Sequence, residues 1–227
     1  MAAAAEEGEG VRLLGGRMSP FTMRARMALA LRGVEYELVE EALHPRKSGR
    51  LLAANPAYGR IPVLLLPGGR AVCESAVIAQ YVDDAWGGAG AGAAILPVDP
   101  YEPLDAISLA PTPEARATAT ASTRAALKLL EEAFAARSNG GAFFSGGGAA
   151  ASPGLLDVAL GCFLPALWAC ENLNGLRLLD DDATPLLRAW SARLAATPAA
   201  MAVMPETEEV VAFTRFLQTK FGVAGSK

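Results

Sequence analysis

Apolar and polar positions follow two periods along the first 86 residues, the short period of strands and the longer period of helices. Apolar runs at Val11–Leu14 and Tyr36–Val39 predict two strands. Two further runs, Pro62–Leu66 and Arg70–Cys73, flank the turn Pro67–Gly69 and predict a hairpin. Helical spacing predicts helices over residues 20–32, 47–54 and 74–86. This order predicts an α/β unit with a mixed four-stranded sheet.

Proline and glycine mark the ends of these predicted helices. Ser19-Pro20 is a start signal, because proline lacks an N–H that the first helical position leaves unpaired. Gly33 is a stop signal for the same helix. Asn55-Pro56 ends the second helix, since a residue before proline avoids the α region.

The rest of the chain has helical periodicity and no strand pattern. Helices are predicted over Glu114–Arg137, Gly154–Leu173, Thr184–Ala196 and Glu206–Phe221, in an all-α domain of about five helices. A glycine- and alanine-rich segment before it has the composition of a linker. The predicted organisation is a disordered leader (1–10), an α/β domain (11–86), a linker (87–100), an all-α domain (101–222) and a tail (223–227).

Composition and charge exclude several classes of protein. With 52% hydrophobic and 19% charged residues the chain can form a core, and its net charge of −4 is unlike that of a nucleic-acid binder. Cys73, Cys162 and Cys170 are odd in number and far apart, and His44 is the only histidine, so neither a disulfide framework nor a metal site is predicted. The most hydrophobic stretch, Leu155–Cys170, is too short to span a bilayer. We therefore expect a cytoplasmic protein with no membrane or nucleic-acid partner.

Ser19 is the first candidate for chemistry. A serine between a strand and a helix is most simply an N-cap. The same position lies at the positive end of a helix dipole, where a hydroxyl can donate to a bound thiolate and lower the pKa of the thiol. Both interpretations are open from the sequence.

Ile61-Pro62 and Glu74-Ser75 are two further candidates. Proline at the start of a strand is tolerated for structural reasons, whereas a cis bond would turn the backbone of Ile61 outward to pair with an extended peptide. Glu74 and Ser75 open a helix and can serve only as its cap. Functionally, Ser75 and free N–H groups would hold a carboxylate, and Glu74 would meet an ammonium group.

Taken in order, these segments resemble the glutathione transferases. The matching residues are Ser19-Pro20-Phe21, Lys47-Ser48, Asn55-Pro56, Ile61-Pro62-Val63 and Glu74-Ser75. The runs at 55–64 and 73–81 look like the plant-specific tau class, as do Asp99–Glu102, Leu129–Phe134, Ala142–Phe144 and Leu156–Gly161. The resemblance implies an N-terminal thioredoxin-like domain and a C-terminal all-helical domain. It also implies that Asp157 caps a helix and is structural.

The resemblance implies roles for particular residues. The Ser19 hydroxyl would activate the thiol of glutathione, a co-substrate, with no cofactor and no metal. Ile61, before a cis proline, would pair with the cysteinyl moiety, and Lys47 would reach the glycyl carboxylate. Glu74 and Ser75 would bind the γ-glutamyl end. The implied glutathione-binding set is Phe21, Lys47, Arg60, Ile61, Pro62, Glu74 and Ser75.

The chain departs from the tau pattern in two places. Family members often have an aromatic residue just before Ser-Pro-Phe, whereas Gly16, Arg17 and Met18 stand here. After Glu102 the family continues with a long helix, whereas Pro103–Pro113 is shorter by several turns, and its three prolines predict no regular helix. In the family this helix lines the electrophile pocket and packs between subunits. The resemblance therefore implies a homodimer and an activity that are both weakened.

The function implied is conjugation of the glutathione thiolate to small hydrophobic electrophiles, in detoxification and stress responses. Peroxide reduction by the same thiolate is compatible with it. The alternative is a weakly active or non-catalytic carrier of apolar ligands with the same fold. Ser19 favours the enzyme, and the shortened segment favours the carrier.

Overall fold

The computed structural model describes residues 10–42, 46–87, 101–146 and 152–223, with only the backbone of residues 101–103. The chain forms two compact units, Met1–Ala94 and Ile95–Lys227. The predicted leader up to residue 9, the predicted linker from 88 to 100, His44 and the predicted tail from 224 onward lie outside the described residues.

The first unit alternates strands with helices. Its elements are β1 (Arg12–Gly15), α1 (Pro20–Leu31), β2 (Glu37–Glu40), α2 (Gly49–Ala54), β3 (Val63–Leu65), β4 (Ala71–Cys73) and α3 (Ser75–Trp86). The strand order is β2-β1-β3-β4, with β1 parallel to β2 and the other pairs antiparallel. The mixed four-stranded sheet and the thioredoxin-like order of elements are confirmed.

The sheet of the first unit is covered on both faces. Leu13 and Leu14 are consecutive in β1, so they point to opposite faces, and both are fully buried. Leu14 packs with Leu51 of α2 and Val63 of β3. Helices α1 and α3 pack together. Each fully buried side chain of this size stabilises the fold by roughly 1.5–3 kcal/mol.

The second unit is helical in the residues described. Its elements are α4 (Tyr101–Ser108), α5 (Pro113–Ser138), α6 (Leu155–Gly161), α7 (Leu164–Asn174), α8 (Pro185–Ala195), α9 (Pro198–Met201) and α10 (Thr207–Lys220). The all-α prediction is confirmed, but the described ranges contain seven helices rather than about five. The number is higher because the short helices α4 and α9 were not predicted. In addition, the single helix predicted over Gly154–Leu173 is divided into α6 and α7.

The predicted helix over Gly154–Leu173 is interrupted after Gly161, and α7 restarts with Pro165 in its first turn, where proline is tolerated. Leu155–Asn174 is nevertheless a helical stretch of 20 residues that by length and composition alone could cross a membrane. It extends four residues beyond the apolar stretch Leu155–Cys170, which the sequence indicated to be too short to span a bilayer. Of its most apolar window, 67% is buried inside the protein, as in the core helix of a soluble domain.

The segment after Glu102 is partly helical, which corrects the prediction of no regular helix there. Helix α4 includes Pro103 in its first turn, where the missing N–H has no acceptor within the helix. Pro111 lies in the connection, and Pro113 opens α5. All three prolines thus avoid a helix interior, and α4 has only eight residues.

Candidate functional site

The predicted site residues follow strand ends at one edge of the sheet. Since β3 runs antiparallel to both β1 and β4, and β2 runs parallel to β1, the start of β3 lies beside the ends of the other three strands. The register there pairs Gly15 with Glu40, Leu14 with Val63, and Val63 with Cys73. Ser19, Ile61 and Glu74 therefore lie in segments that begin or end at the same edge.

Ser19 is the N-cap of α1. Its backbone is extended, and its Oγ accepts a hydrogen bond from the Thr22 N–H at 3.3 Å. This cap uses the oxygen as acceptor, so the O–H can still donate. Capping and thiolate stabilisation are therefore compatible at this residue.

A buried threonine holds the loop that precedes Ser19. The Gly16 N–H donates to Thr22 Oγ1 at 3.2 Å, and the Ser19 N–H donates to the Gly16 carbonyl at 2.9 Å. A Cβ on Gly15 would lie 2.3 Å from Thr22 Cγ2, so only glycine fits there. A Cβ on Gly16 would lie 3.4 Å from Ile61 Cδ1, which brings this loop against the start of β3. Thr22 was missed from the sequence, although a hydroxyl side chain in the first turn of the predicted helix is a usable signal.

The Ile61-Pro62 bond is cis, as the resemblance implies. Asn55, which is 3% exposed, holds the preceding loop. Its Nδ2 donates to the Arg60 carbonyl at 3.1 Å, and its Oδ1 accepts from the Tyr58 N–H at 3.3 Å. The sequence identified Asn55 only as a helix stop, whereas the structure shows that it sets the backbone leading to Ile61.

Two cations flank this loop. Lys47 is exposed, and its Nζ donates to the Tyr58 carbonyl at 3.4 Å. Gly59 has a φ of +56°, and a Cβ there would lie 3.3 Å from Lys47 Cδ and 3.0 Å from Leu52 Cδ2. Glycine therefore allows the lysine to cross the loop closely. Arg60 is also exposed, so both cations are accessible to an anionic ligand.

Glu74 and Ser75 begin α3. Glu74 is exposed and has a φ of +69°, a conformation that is uncommon outside glycine and clusters at functional sites. Ser75 is buried, and its Oγ accepts a hydrogen bond from Arg24 Nη1 at 2.9 Å. The guanidinium carbon of Arg24 lies 6.0 Å from the ring centre of half-buried Phe21. Arg24 was missed from the sequence, although a cation among the apolar residues of α1 is an observable signal.

Cys73 precedes Glu74 but is poorly suited to act as a nucleophile. Burial raises the pKa of its thiol above the ordinary value of 9.0, and the charge of Glu74 raises it further. The thiol therefore stays protonated at neutral pH. Within the described ranges, no three His, Cys, Asp or Glu side chains are arranged to hold a metal ion.

Two family models match the chain. "Glutathione S-transferase, N-terminal domain" matches residues 18–85, and "Glutathione S-transferase, C-terminal domain" matches residues 113–193. The Zea mays protein "Probable glutathione S-transferase BZ2" is 64% identical, covering 92% of this chain and 97% of its own length. The Oryza sativa subsp. japonica protein "Probable glutathione S-transferase GSTU6" is 40% identical, with coverages of 96% and 97%.

Solved structures agree with these matches. The tau class glutathione S-transferase of mango, Mangifera indica L., superposes with a TM-score of 0.80 at 37% identity, covering 92% of this chain and 98% of that one. Rice GST1, solved in complex with glutathione, superposes with a TM-score of 0.79 at 31% identity, covering 95% of this chain and 100% of that one. The chain belongs to the glutathione S-transferase family, in its plant tau class.

Proposed function

We propose that this transferase conjugates the thiolate of glutathione to small hydrophobic electrophiles. The observation that carries the proposal is the placement of Ser19, the cis Ile61-Pro62 bond and Glu74-Ser75 at one edge of the sheet. The glutathione complex of the rice relative supports it.

The charges at this edge complement an extended zwitterionic tripeptide. The Lys47 ammonium pairs with the glycyl carboxylate, with Arg60 adding positive charge nearby. The Ile61 backbone, leading into the cis Pro62, pairs with the cysteinyl residue. Glu74 receives the γ-glutamyl ammonium. The γ-glutamyl carboxylate is held by Ser75 and the N–H groups at the start of α3.

The arrangement around Ser19 supplies the chemistry. Its O–H donates to the glutathione sulfur, and the N-terminus of α1 further stabilises negative charge there. Both effects lower the pKa of the bound thiol, so a larger fraction is thiolate at neutral pH. The thiolate attacks the electrophilic carbon, a C–S bond forms, and the leaving group departs with its electron pair. Phe21 supports the site indirectly, since it lies against the cation that holds Ser75.

A carrier of apolar ligands is the second candidate, and the eight-residue length of α4 favours it. We further propose a cytoplasmic location and a homodimer weakened by the same short helix. Peroxide reduction by the same thiolate is a compatible activity.

Calorimetry with glutathione, followed by turnover of a generic aryl halide, tests the proposal. We expect glutathione binding that weakens in Lys47→Ala and is unchanged in Arg215→Ala, an exposed control on α10. Measurable conjugation identifies an enzyme, whereas binding without turnover identifies the carrier. Absence of glutathione binding in a protein with an intact circular dichroism spectrum would contradict the proposed conjugation.

A further inference from the structure

A cavity of about 280 Å³ lies in the second unit, between α7, α8 and the connection that joins them. Its lining includes Trp168, Glu171, Arg177, Leu179, Arg188 and Ser191. On α7 the lining residues Trp168 and Glu171 are three positions apart, and so are Arg188 and Ser191 on α8. Each pair therefore shares one helix face. All of these residues belong to the second unit, whereas every residue of the proposed glutathione site belongs to the first.

The connection that forms one wall of this open cavity is held in place by hydrogen bonds. Glu171 Oε1 accepts from the N–H groups of Leu178 and Leu179 at 2.5 and 3.0 Å. Arg124 Nη2, on α5, donates to the Arg177 carbonyl at 3.0 Å. The cavity is therefore bounded by two helices and a tethered segment, so it is formed before any ligand arrives.

The two arginines of the lining differ in their partners. Arg188 pairs with Asp181 at 2.5 Å, which neutralises its charge. Arg177 is exposed, and its side chain makes no hydrogen bond within the described part of the chain. Hydrogen bonds from the N–H groups of Ala183 and Asp182 lower the pKa of the Asp180 carboxyl, and the charges of Arg124 and then Arg177 lower it further. The guanidinium donors of Arg177 therefore remain available to a ligand.

The lining also supplies an aromatic surface, because Trp168 is half-buried beside the two arginines. A cavity of roughly 150 Å³ accommodates benzene, so about 280 Å³ accommodates one ring with a short substituent. Planar carboxylates match the fork of a guanidinium in a bidentate geometry. The nearby carboxylates of Glu171, Asp180 and Asp181 disfavour a second negative charge on the ligand.

We infer that this cavity binds a small aromatic monocarboxylate, with its ring against Trp168 and its carboxylate on Arg177. The site is independent of glutathione conjugation. A compound bound there does not enter the reaction.

Cinnamate is a suitable probe. Its binding is measured by calorimetry and by the quenching of tryptophan fluorescence. We expect one site per chain that is not displaced by S-hexylglutathione, a compound that occupies the positions of glutathione and the electrophile together. Arg177→Ala should weaken binding about tenfold or more, the loss of one charge-assisted pair. Arg215→Ala removes an equally exposed arginine of the same unit and should leave the affinity unchanged.

A second variant locates the ring. Trp168→Phe keeps an aromatic surface, so calorimetry should still detect binding, while the quenching disappears because the responding indole is gone. Displacement by S-hexylglutathione, equal affinity for neutral methyl cinnamate, or unchanged cinnamate binding by Arg177→Ala would each overturn the assignment. Undetectable binding of cinnamate to the unmodified protein would do so as well. Arg177 is exposed, so circular dichroism and aryl-halide turnover of Arg177→Ala should be normal.

Discussion

Ser19 and Ser75 both stand at helix N-termini, yet different partners hold their hydroxyl oxygens. The oxygen of Ser19 accepts an N–H from its own helix, whereas that of Ser75 accepts from the buried Arg24 on α1. In both cases the interaction uses the oxygen as acceptor, so the O–H proton is directed elsewhere. Each serine therefore keeps an O–H that can donate to a ligand at the edge where a peptide with a thiol and a carboxylate is proposed to bind.

Replacing Ser19 separates its two roles. Ser19→Ala removes the donor to the glutathione sulfur, so the pKa of the bound thiol should rise and turnover at neutral pH should fall. A charge-assisted hydrogen bond contributes roughly 1.5–3 kcal/mol, which corresponds to a loss of about tenfold to a hundredfold. Thiolate absorbance against pH and melting temperature are measured on the same variant. A purely structural cap would instead cost about 1 kcal/mol of stability and leave turnover intact.

Arg24 is predicted to act on glutathione through Ser75. Arg24→Met keeps a long side chain but removes the donor that orients the Ser75 hydroxyl. We expect glutathione affinity to fall about tenfold, the worth of one hydrogen bond to a charged group, while the pKa of the bound thiol stays the same. Arg26→Met is the matched control on the same helix, since Arg26 donates to the Tyr36 hydroxyl instead. Equal affinity losses in both variants would indicate general damage to α1.

At the scale of elements, one carboxylate joins the start of α6 to the loop before it and to the middle of α8. Asp157, fully buried at the third position of α6, accepts from the Gly154 N–H at 2.9 Å, which confirms the predicted cap. It also accepts from the Phe144 N–H at 2.9 Å and from Trp190 Nε1, on α8, at 2.7 Å. The Phe144 and Trp190 rings are in edge contact, with centroids 5.4 Å apart. The carboxylate therefore organises a buried polar centre inside an aromatic cluster.

Asp157→Ala should strongly destabilise the protein. The substitution leaves three donors without their acceptor, and the two of them that are buried, the Phe144 N–H and Trp190 Nε1, each cost about 1–3 kcal/mol. We expect a loss of roughly 3 kcal/mol or more in urea unfolding followed by tryptophan fluorescence. Asp182→Ala, an exposed aspartate of the same unit, should change stability by less than about 0.5 kcal/mol. A loss below about 1 kcal/mol in Asp157→Ala would contradict the buried role.

Short sequence motifs predicted the position of most helices and strands. They failed where the same residue is compatible with two different structures. Ser19-Pro20 and Asn55-Pro56 were correctly placed at helix ends, because a proline ring acts on its immediate neighbours. Pro103 was misinterpreted, since proline in a first turn and proline that breaks a helix look alike in a sequence. Pro165 was not interpreted as the start of a new helix, so the helix predicted from periodicity continued across a break.

The residues of the candidate site were likewise predicted where they belong to a local motif and missed where their partners are distant in sequence. Motif residues such as Ser19 and Glu74 are recognised locally, and the structure brings their segments to one edge. Arg24 was missed because its partner Ser75 is 51 positions away, and that proximity appears only when α1 and α3 pack. The carbonyl and N–H partners of Asn55 likewise depend on the conformation of one loop.

For the whole molecule, the resemblance implies that the eight-residue α4 is the largest departure from the tau pattern. The resemblance predicts that the longer family helix contributes aromatic side chains to the electrophile pocket and to the subunit contact. Every residue of the proposed glutathione site precedes α4 in the chain. We therefore expect the short α4 to affect the affinity for glutathione and the turnover of electrophiles to different extents.

We accordingly predict near-normal glutathione affinity together with weak turnover and a weak dimer. Positioning of a nucleophile and an electrophile contributes several kcal/mol to a rate enhancement, so a looser pocket lowers kcat with electrophiles more than it alters glutathione Kd. Loss of large apolar side chains from a subunit contact also favours dissociation on dilution. Kinetics with several aryl halides and sedimentation over a concentration series measure the two effects separately. Rapid turnover by a dimer that persists at every concentration would show that the length of α4 governs neither property.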